Sequence, residues 1–365
     1  LLDRARFPRD KPCGGGLTER AVRQLPFSVE PVVEDVVGSF ELRLGYGRGF
    51  TRRSDAPLCF MTQRRRLDAF LVEQAVAVGA EFREDARVTG VSIDADAARV
   101  EVGGETIEAA LVLGADGVNG VTARSLGLGG APELGVALEG NLPYGGAVSR
   151  ERFTGRLVLH IGCCPGGYGW VFPKADHVNF GIGGWESEGP RLRERLASLC
   201  AAHGVDVATL TETRGYRLPM RKPDSQLARG RAALIGDAGG LVDPLSGDGM
   251  YEAFLSGRLA FATALELLGG RAETMEPYAA TLARTLSPMV SASWSAKVAM
   301  DRYPRTAFEL ARLPVLWTVV TRLIRGELAS PGQAGGLARP PVRLLKALAR
   351  RAGDPGRAYR LPAST

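Results

Sequence analysis

The chain has 365 residues, 45% of them hydrophobic and 24% charged, enough for two intimately packed globular domains. Its net charge of +6 comes from arginines scattered among acids, with no basic stripe interleaved with aromatics, which argues against a nucleic-acid partner. Five cysteines are too few and odd in number for a disulfide framework, and three histidines show no metal-ligand spacing, so metal chemistry is set aside and a reducing cytoplasm is expected.

Along the chain, Leu1–Asp3 reads as the tail of a strand, followed by a loop over Arg4–Gly16 and a helix over Leu17–Leu25. Strand-like runs occupy Val32–Leu44. Leu67, Phe70, Leu71 and Ala75 recur at helical spacing, which predicts a helix over Arg64–Gly79. Short strands follow around 87–93, 99–102 and 109–113. The texture then changes: alternating runs at 136–142, 155–161, 170–173 and 178–184 predict a mainly antiparallel sheet, interrupted by a helix over Pro190–His203. A strand at Ala232–Ile235 returns to the earlier character, and after Glu276 the chain reads as helical.

The stretch Ala232–Ala260, AALIGDAGGLVDPLSGDGMYEAFLSGRLA, is the most informative. An apolar strand runs into Gly236-Asp237, then a Gly/Pro-rich turn, then a helix of small residues. Gly236 and its neighbours let backbone come close to a ligand, beside the Asp237 carboxylate. Pro244 and Gly247-Asp248-Gly249 shape a loop at a helix N-terminus, where free amides suit an electron-rich group. A carboxylate for a sugar-like chain and amides for a ring together suit a flavin. Leu111–Gly120 repeats the device, with Asp116-Gly117 at a second strand end. Asp3 ends an apolar run where a dinucleotide fold carries a ribose-binding acid, although on its own it reads better as a terminal surface residue. Arg64 opens a helix and can offer its planar fork to a phosphate, or stand as one of three surface arginines. Cys13-Gly14-Gly15 allows a flat ring to lie on backbone with a thiol at its edge, or stands as a flexible loop with an incidental thiol; lowering the thiol pKa needs a nearby positive charge, for which Lys11 is a candidate. Tyr168, Trp170 and Phe172 share one face of a strand, as the floor of a greasy pocket or as plain sheet core.

Taken in order, FPRDKPCGGGL, RRRLD, LGADGVNG, GYGWVFPK and IGDAGGLVDPLSGDGMYEAFLSG resemble the geranylgeranyl reductase family of flavoproteins, with the p-hydroxybenzoate-hydroxylase-like fold, from residue 1 to about Ala262. The resemblance implies an α/β fold: a Rossmann-type FAD-binding domain (1–30, 58–130 and 229–275), an inserted, mainly antiparallel substrate sheet (31–57 and 131–228) and a helical C-terminal region (276–365). It implies Asp3 on the adenosine ribose, Arg64 on the pyrophosphate side, Asp116 and Gly117 in the FAD/nicotinamide region, and Gly236 and Asp237 at the ribityl chain. Pro244, Gly247, Asp248 and Gly249 would face the isoalloxazine. Cys13, Gly14 and Gly15 would lie at the reacting face, and Tyr168, Trp170 and Phe172 along a prenyl channel. The implied activity is saturation of polyprenyl double bonds by hydride from reduced FAD, with NAD(P)H or ferredoxin as electron donor and a prenylated small molecule or lipid as substrate. No proton donor stands out within these motifs.

The family's N-terminal strand and GxGxxG turn are not in the chain; by the fingerprint's spacing roughly 20–30 residues are expected before Leu1, so the sequence reads as truncated. One rival reading is a flavin monooxygenase or halogenase of the same fold acting on an aromatic substrate. Another is a remnant that has lost its cofactor. Leu310–Ile324 is apolar but too short and interrupted to span a bilayer. Beyond it lie Arg339, Arg343, Lys346, Arg350, Arg351, Arg357 and Arg360, with Asp354 the sole acid among them, a pattern suited to peripheral contact with the inner membrane or to a solvated terminal helix.

Overall fold

The computed structural model describes residues 1–145, 148–222 and 225–353. The chain enters extended, with Leu2 bridging Arg83 in parallel. Then come β1 (Gly16–Thr18), α1 (Glu19–Val22), β2 (Asp35–Val37), β3 (Ser39–Leu44), β4 (Gly49–Arg53), β5 (Cys59–Met61) and α2 (Arg64–Ala77). Three strands, β6 (Val88–Ile93), β7 (Ala98–Val102) and β8 (Glu105–Ala109), form a meander, and β9 (Val112–Gly114) leads into α3 (Val121–Leu126). The next elements are β10 (Glu133–Pro143), β11 (Arg156–Ile161), β12 (Tyr168–Pro173), β13 (His177–Trp185), α4 (Leu192–Ala201) and β14 (Thr211–Met220). The chain closes with β15 (Ala228–Arg229), β16 (Ala232–Leu234), α5 (Met250–Leu268), α6 (Glu276–Arg302), α7 (Pro304–Ala311), α8 (Pro314–Ile324) and α9 (Arg339–Arg351).

The fold is α/β. Its largest sheet has seven strands in the order β14-β10-β13-β12-β11-β3-β4, antiparallel except where β3 lies parallel to β11. One face packs on α4: Phe180 and Ile182 of β13 and Leu196 and Leu199 of α4 are fully buried in one cluster. Strand β13 is buried on both faces along nearly its whole length, because Asn179, Gly181 and Gly183 alternate with those large residues and face the opposite way. There the indole of Trp170 lies over Gly181, at a spot that any Cβ would occupy. A second layer is built on β16, parallel to β9 and antiparallel to β15. Helices α5 and α6 close over it through Leu255, Leu282 and Leu286.

Several local readings change in the structure. Leu17 pairs in β1 with Phe60 and leaves only Glu19–Val22 helical, since a fully buried Leu17 is worth more to the small β1-β5-β2 sheet than to a surface helix. The run at 109–113 is divided between β8, which turns back on β7, and β9, which pairs with β16. Strands β4 and β14 emerge from stretches whose charged residues masked the alternation. The apolar run at 310–324 breaks at Leu313, with Pro314 opening α8 at a position where a missing amide hydrogen costs nothing. Among the described residues no helix is long and apolar enough to cross a membrane.

Tyr278 of α6 is fully buried and its hydroxyl donates to the Leu234 carbonyl at 2.8 Å, tying the helical layer to the strand that delivers Gly236-Asp237. Tyr278→Phe leaves that carbonyl without its buried donor and is expected to cost about 1–2 kcal/mol, read as a lower urea midpoint at unchanged slope. Tyr278→Ala, which also opens a cavity, should cost about 3–5 kcal/mol.

Candidate flavin and substrate site

The glycine loop rests directly on the aromatic strand. Gly15 has φ +67°, and a Cβ there would meet the Lys174 ammonium and the Thr62 carbonyl; one on Gly14 would lie 2.8 Å from the Phe172 ring. Both positions therefore demand glycine for want of space, and Gly15 also for its backbone angle. Lys174, which ends the GYGWVFPK motif, is buried and donates to the carbonyls of Gly14 (2.6 Å) and Thr62 (2.9 Å). Burial pushes its pKa down, against the nearby carboxylates of Glu34 and Glu139. Trp170 is fixed by its own donation to Asn179 Oδ1 at 2.7 Å. Tyr168, Trp170 and Phe172 all line one large cavity, as do Cys13, Gly14 and Gly15.

On the other wall stand the strand-end residues. Asp237 Oδ2 accepts from Lys11 Nζ at 2.9 Å and from the Tyr216 hydroxyl at 2.8 Å. Lys11, a candidate in the sequence for placing charge near the Cys13 thiol, is thus paired with Asp237. Arg64 makes a bidentate pair with Asp68 (both 2.7 Å), and Arg9 reaches the same carboxylate at 2.8 Å. Arg9 also approaches Asp3 at 3.6 Å. Asp248 Oδ1 takes the Met250 amide at 2.9 Å, so the first turn of α5 is capped by its own loop and its amides are less free than expected. Asp248 Oδ2 lies 3.6 Å from Arg20, and burial raises the pKa of this carboxyl despite that cation. Gly117, Gly236, Pro244, Gly247, Asp248 and Gly249 line the cavity with Arg64 and Asp237. Two acids do not. Asp116 turns away to receive the Val121 and Thr122 amides (2.6 and 2.9 Å) at the start of α3, and Asp3 is engaged with the Ala5 amide at 2.9 Å.

The cavity is about 840 Å³. From the Cys13–Gly15 loop it follows Phe40, Leu42, Leu157 and Leu159 across the sheet, and α6 to α9 roof it with residues such as Met289, Met300, Leu316 and Leu345. These roof residues were not legible in the sequence, because their helices read only as a generic helical tail. Glu139 was missed as well. It lies on β10 facing the cavity, is 9% exposed, and its Oε1 accepts the Cys13 amide at 2.7 Å. Desolvation raises its pKa to about 7, against the Cys13 amide bond and the positive charges of Lys174 and Arg214, with Asp10 adding to the rise. The available signal was the one charged residue in the stretch 135–142. The residues fit a flavin: a glycine surface with no room for side chains, a carboxylate at a strand end, and a buried cavity-wall hydroxyl on Thr18 that has no hydrogen-bond partner among the described residues.

A sequence profile described as an FAD binding domain matches residues 31–141. The chain is 30% identical over 282 residues to menaquinone reductase of Mycolicibacterium smegmatis, covering 71% of this chain and 68% of that one. It is 28% identical to the chloroplastic geranylgeranyl diphosphate reductase of Oryza sativa, covering 68% of this chain but only 57% of the rice protein. In three dimensions it is similar to a geranylgeranyl bacteriochlorophyll reductase-like protein of Thermoplasma acidophilum, with TM-score 0.77, 18% identity and coverage of 95% and 92%. A flavin-dependent halogenase shares the fold at TM-score 0.65 and 19% identity, over 96% of this chain and 71% of its own. For an FAD site with Asp237 at its wall, Asp237→Ala is expected to weaken FAD binding about 10–100-fold, the worth of one charge-assisted hydrogen bond, in a flavin fluorescence titration. With 30% identity over this extent of both chains, and motifs of that family bordering one cavity, the chain belongs to the geranylgeranyl reductase family of FAD-dependent oxidoreductases.

Proposed function

We propose that the chain saturates double bonds of a polyprenyl group carried by a small molecule or lipid. The observation that carries this reading is the continuous apolar path from the Cys13–Gly15 loop to the C-terminal helices. A tail laid along it gains on the order of 0.8 kcal/mol per buried methylene, so it can be held without polar contacts. Bound FAD, once reduced by NAD(P)H or ferredoxin, supplies the hydride. The chain's own residues position the alkene: Tyr168, Trp170 and Phe172 form the floor, Lys174 fixes the Gly14 carbonyl, and the roof helices exclude water. The names of the rice and mycobacterial relatives support a prenyl substrate.

The test is anaerobic. Flavin-loaded protein is reduced, mixed with geranylgeranyl diphosphate, and followed by its visible spectrum and by mass spectrometry of the product. Reoxidation with a gain of two hydrogens per turnover is expected. A flavin that stays reduced until air enters, then consumes oxygen with an aromatic substrate, overturns this reading in favour of a monooxygenase or halogenase.

The same reading includes peripheral membrane contact through α9. Arg339, Arg343, Arg350 and Arg351 are exposed there, beside the exposed Leu337 and Leu344, while Val342, Leu345 and Lys346 of the same helix line the cavity. Asp354, Arg357 and Arg360 lie outside the described residues. Each basic side chain near an anionic surface contributes about 1 kcal/mol. Replacing these four arginines by alanine should therefore weaken co-sedimentation with phosphatidylserine-containing vesicles at least ~10-fold at low salt. Failure of the unaltered protein to sediment would remove the membrane from the picture.

A further inference from the structure

Alkene reduction needs a proton as well as a hydride, and the acids around the cavity differ sharply in their freedom to give one. Asp68 is paired with Arg64 and Arg9, and Asp237 with Lys11. Asp248 caps α5, and Asp243 accepts from the Leu245 and Ser246 amides and from the Ser246 and Ser293 hydroxyls. The phenols of Tyr168 and Tyr216 donate their protons to the Ser246 carbonyl and to Asp237. Glu139 stands apart. Among the described residues it makes no ion pair, it faces the cavity from β10, and it is anchored by the amide of the very residue that carries the thiol of the glycine loop.

We propose that Glu139 is the proton donor of the reduction, its carboxylic acid delivering the proton to the alkene carbon opposite the one that takes the hydride. The inference rests on the reductase reading. The balance is complete: the C=C π bond is replaced by two C–H bonds, one from the two-electron hydride of reduced flavin and one from the Glu139 O–H. The flavin is oxidised, and Glu139 is left as a carboxylate. That anion keeps the Cys13 amide hydrogen bond, and the charges of Lys174, just past β12, and Arg214 on β14 favour it. Asp10 in the loop opposes it. Arg214 and Asp10 pair at 2.5 Å with side chains 41% and 34% exposed, so solvent lies on that flank to return the proton. Burial keeps the acid form populated near neutral pH, the range in which a general acid is most useful.

Two measurements test this. In the first, reduced, flavin-loaded protein is mixed anaerobically with geranylgeranyl diphosphate, and the reoxidation rate is followed between pH 5 and 9. The unaltered chain should slow as pH rises through about 7. Glu139→Gln, which still accepts the Cys13 amide but has no acid proton, should be at least ~100-fold slower and flat with pH. Cys13→Ala should retain the pH profile. The second needs no flavin. An acid whose pKa is raised in the fold, from 4.5 to about 7, adds stability that is full below 4.5 and lost as pH climbs through 7. The melting temperature of the unaltered protein should therefore fall relative to Glu139→Gln between pH 5 and 8. If Glu139→Gln reduces the alkene at the unaltered rate, or if Cys13→Ala instead abolishes the pH dependence, Glu139 is not the donor. A melting difference independent of pH would equally overturn it. If the unaltered protein leaves the alkene intact, the reductase reading itself fails, and the inference falls with it.

Discussion

The Lys174 ammonium sits between the carbonyls of Gly14 and Thr62 with almost no contact with water, and the geometry of the whole site follows from that placement. A bare buried cation is costly, and two short carbonyl bonds with the field of Glu34 offset the cost. Through it the end of β12 is tied both to the glycine loop and to the residues before α2. Glu34 extends the tie, accepting the Ala175 amide at 3.1 Å and pairing with Arg66 at 3.0 Å. The thiol-bearing loop thus cannot drift from the aromatic floor without uncovering a charge.

Around this clamp, the cavity sorts its ionisable groups into two kinds. Most of the acids are spent on structure, neutralised by arginine or lysine or turned back onto helix amides. Even the strand-end carboxylate of Asp116 serves α3, joined by the Thr122 hydroxyl at 3.0 Å. Glu252 illustrates the expense of burial even beside a cation: 2% exposed and 3.8 Å from Arg20, it is pushed well above the usual carboxyl range. A wall in which nearly every charge is matched leaves the chemistry to the few groups that are not.

Much of this was legible beforehand where residue type alone dictates geometry. The glycines at 14, 15 and 236, the period-two aromatics at 168, 170 and 172, and the helix opening at Arg64 all fell where local rules put them. The sequence was silent where partners are distant. Nothing near Lys11 says that it will meet Asp237 and Tyr216, more than two hundred positions on. Nothing near Glu139 announces the Cys13 amide. The roof is the extreme case: α6 to α9 have ordinary amphipathic patterns, and only the fold decides that their apolar residues border a cavity instead of filling a core. The Leu17 misreading had the opposite cause, a local helical preference overridden by pairing with Phe60.

The parallel contact of β3 with β11 also shapes how the molecule comes into being. Ser39 pairs beside Arg156, so the hairpin of β3 and β4 waits for a partner made roughly a hundred residues later, on the order of 5–20 s at ribosomal speed. A lone hairpin is marginal in water, and this one shows the apolar side chains of Phe40 and Leu42 together with an unpaired edge. Its outer strand ends in Arg52 and Arg53, charges that discourage pairing with a neighbouring chain on that side. The inner strand carries Glu41 and Arg43, yet its edge stays open until β11 is made. The same strand that later walls the cavity is therefore, while the chain is being made, an open edge that shows apolar side chains.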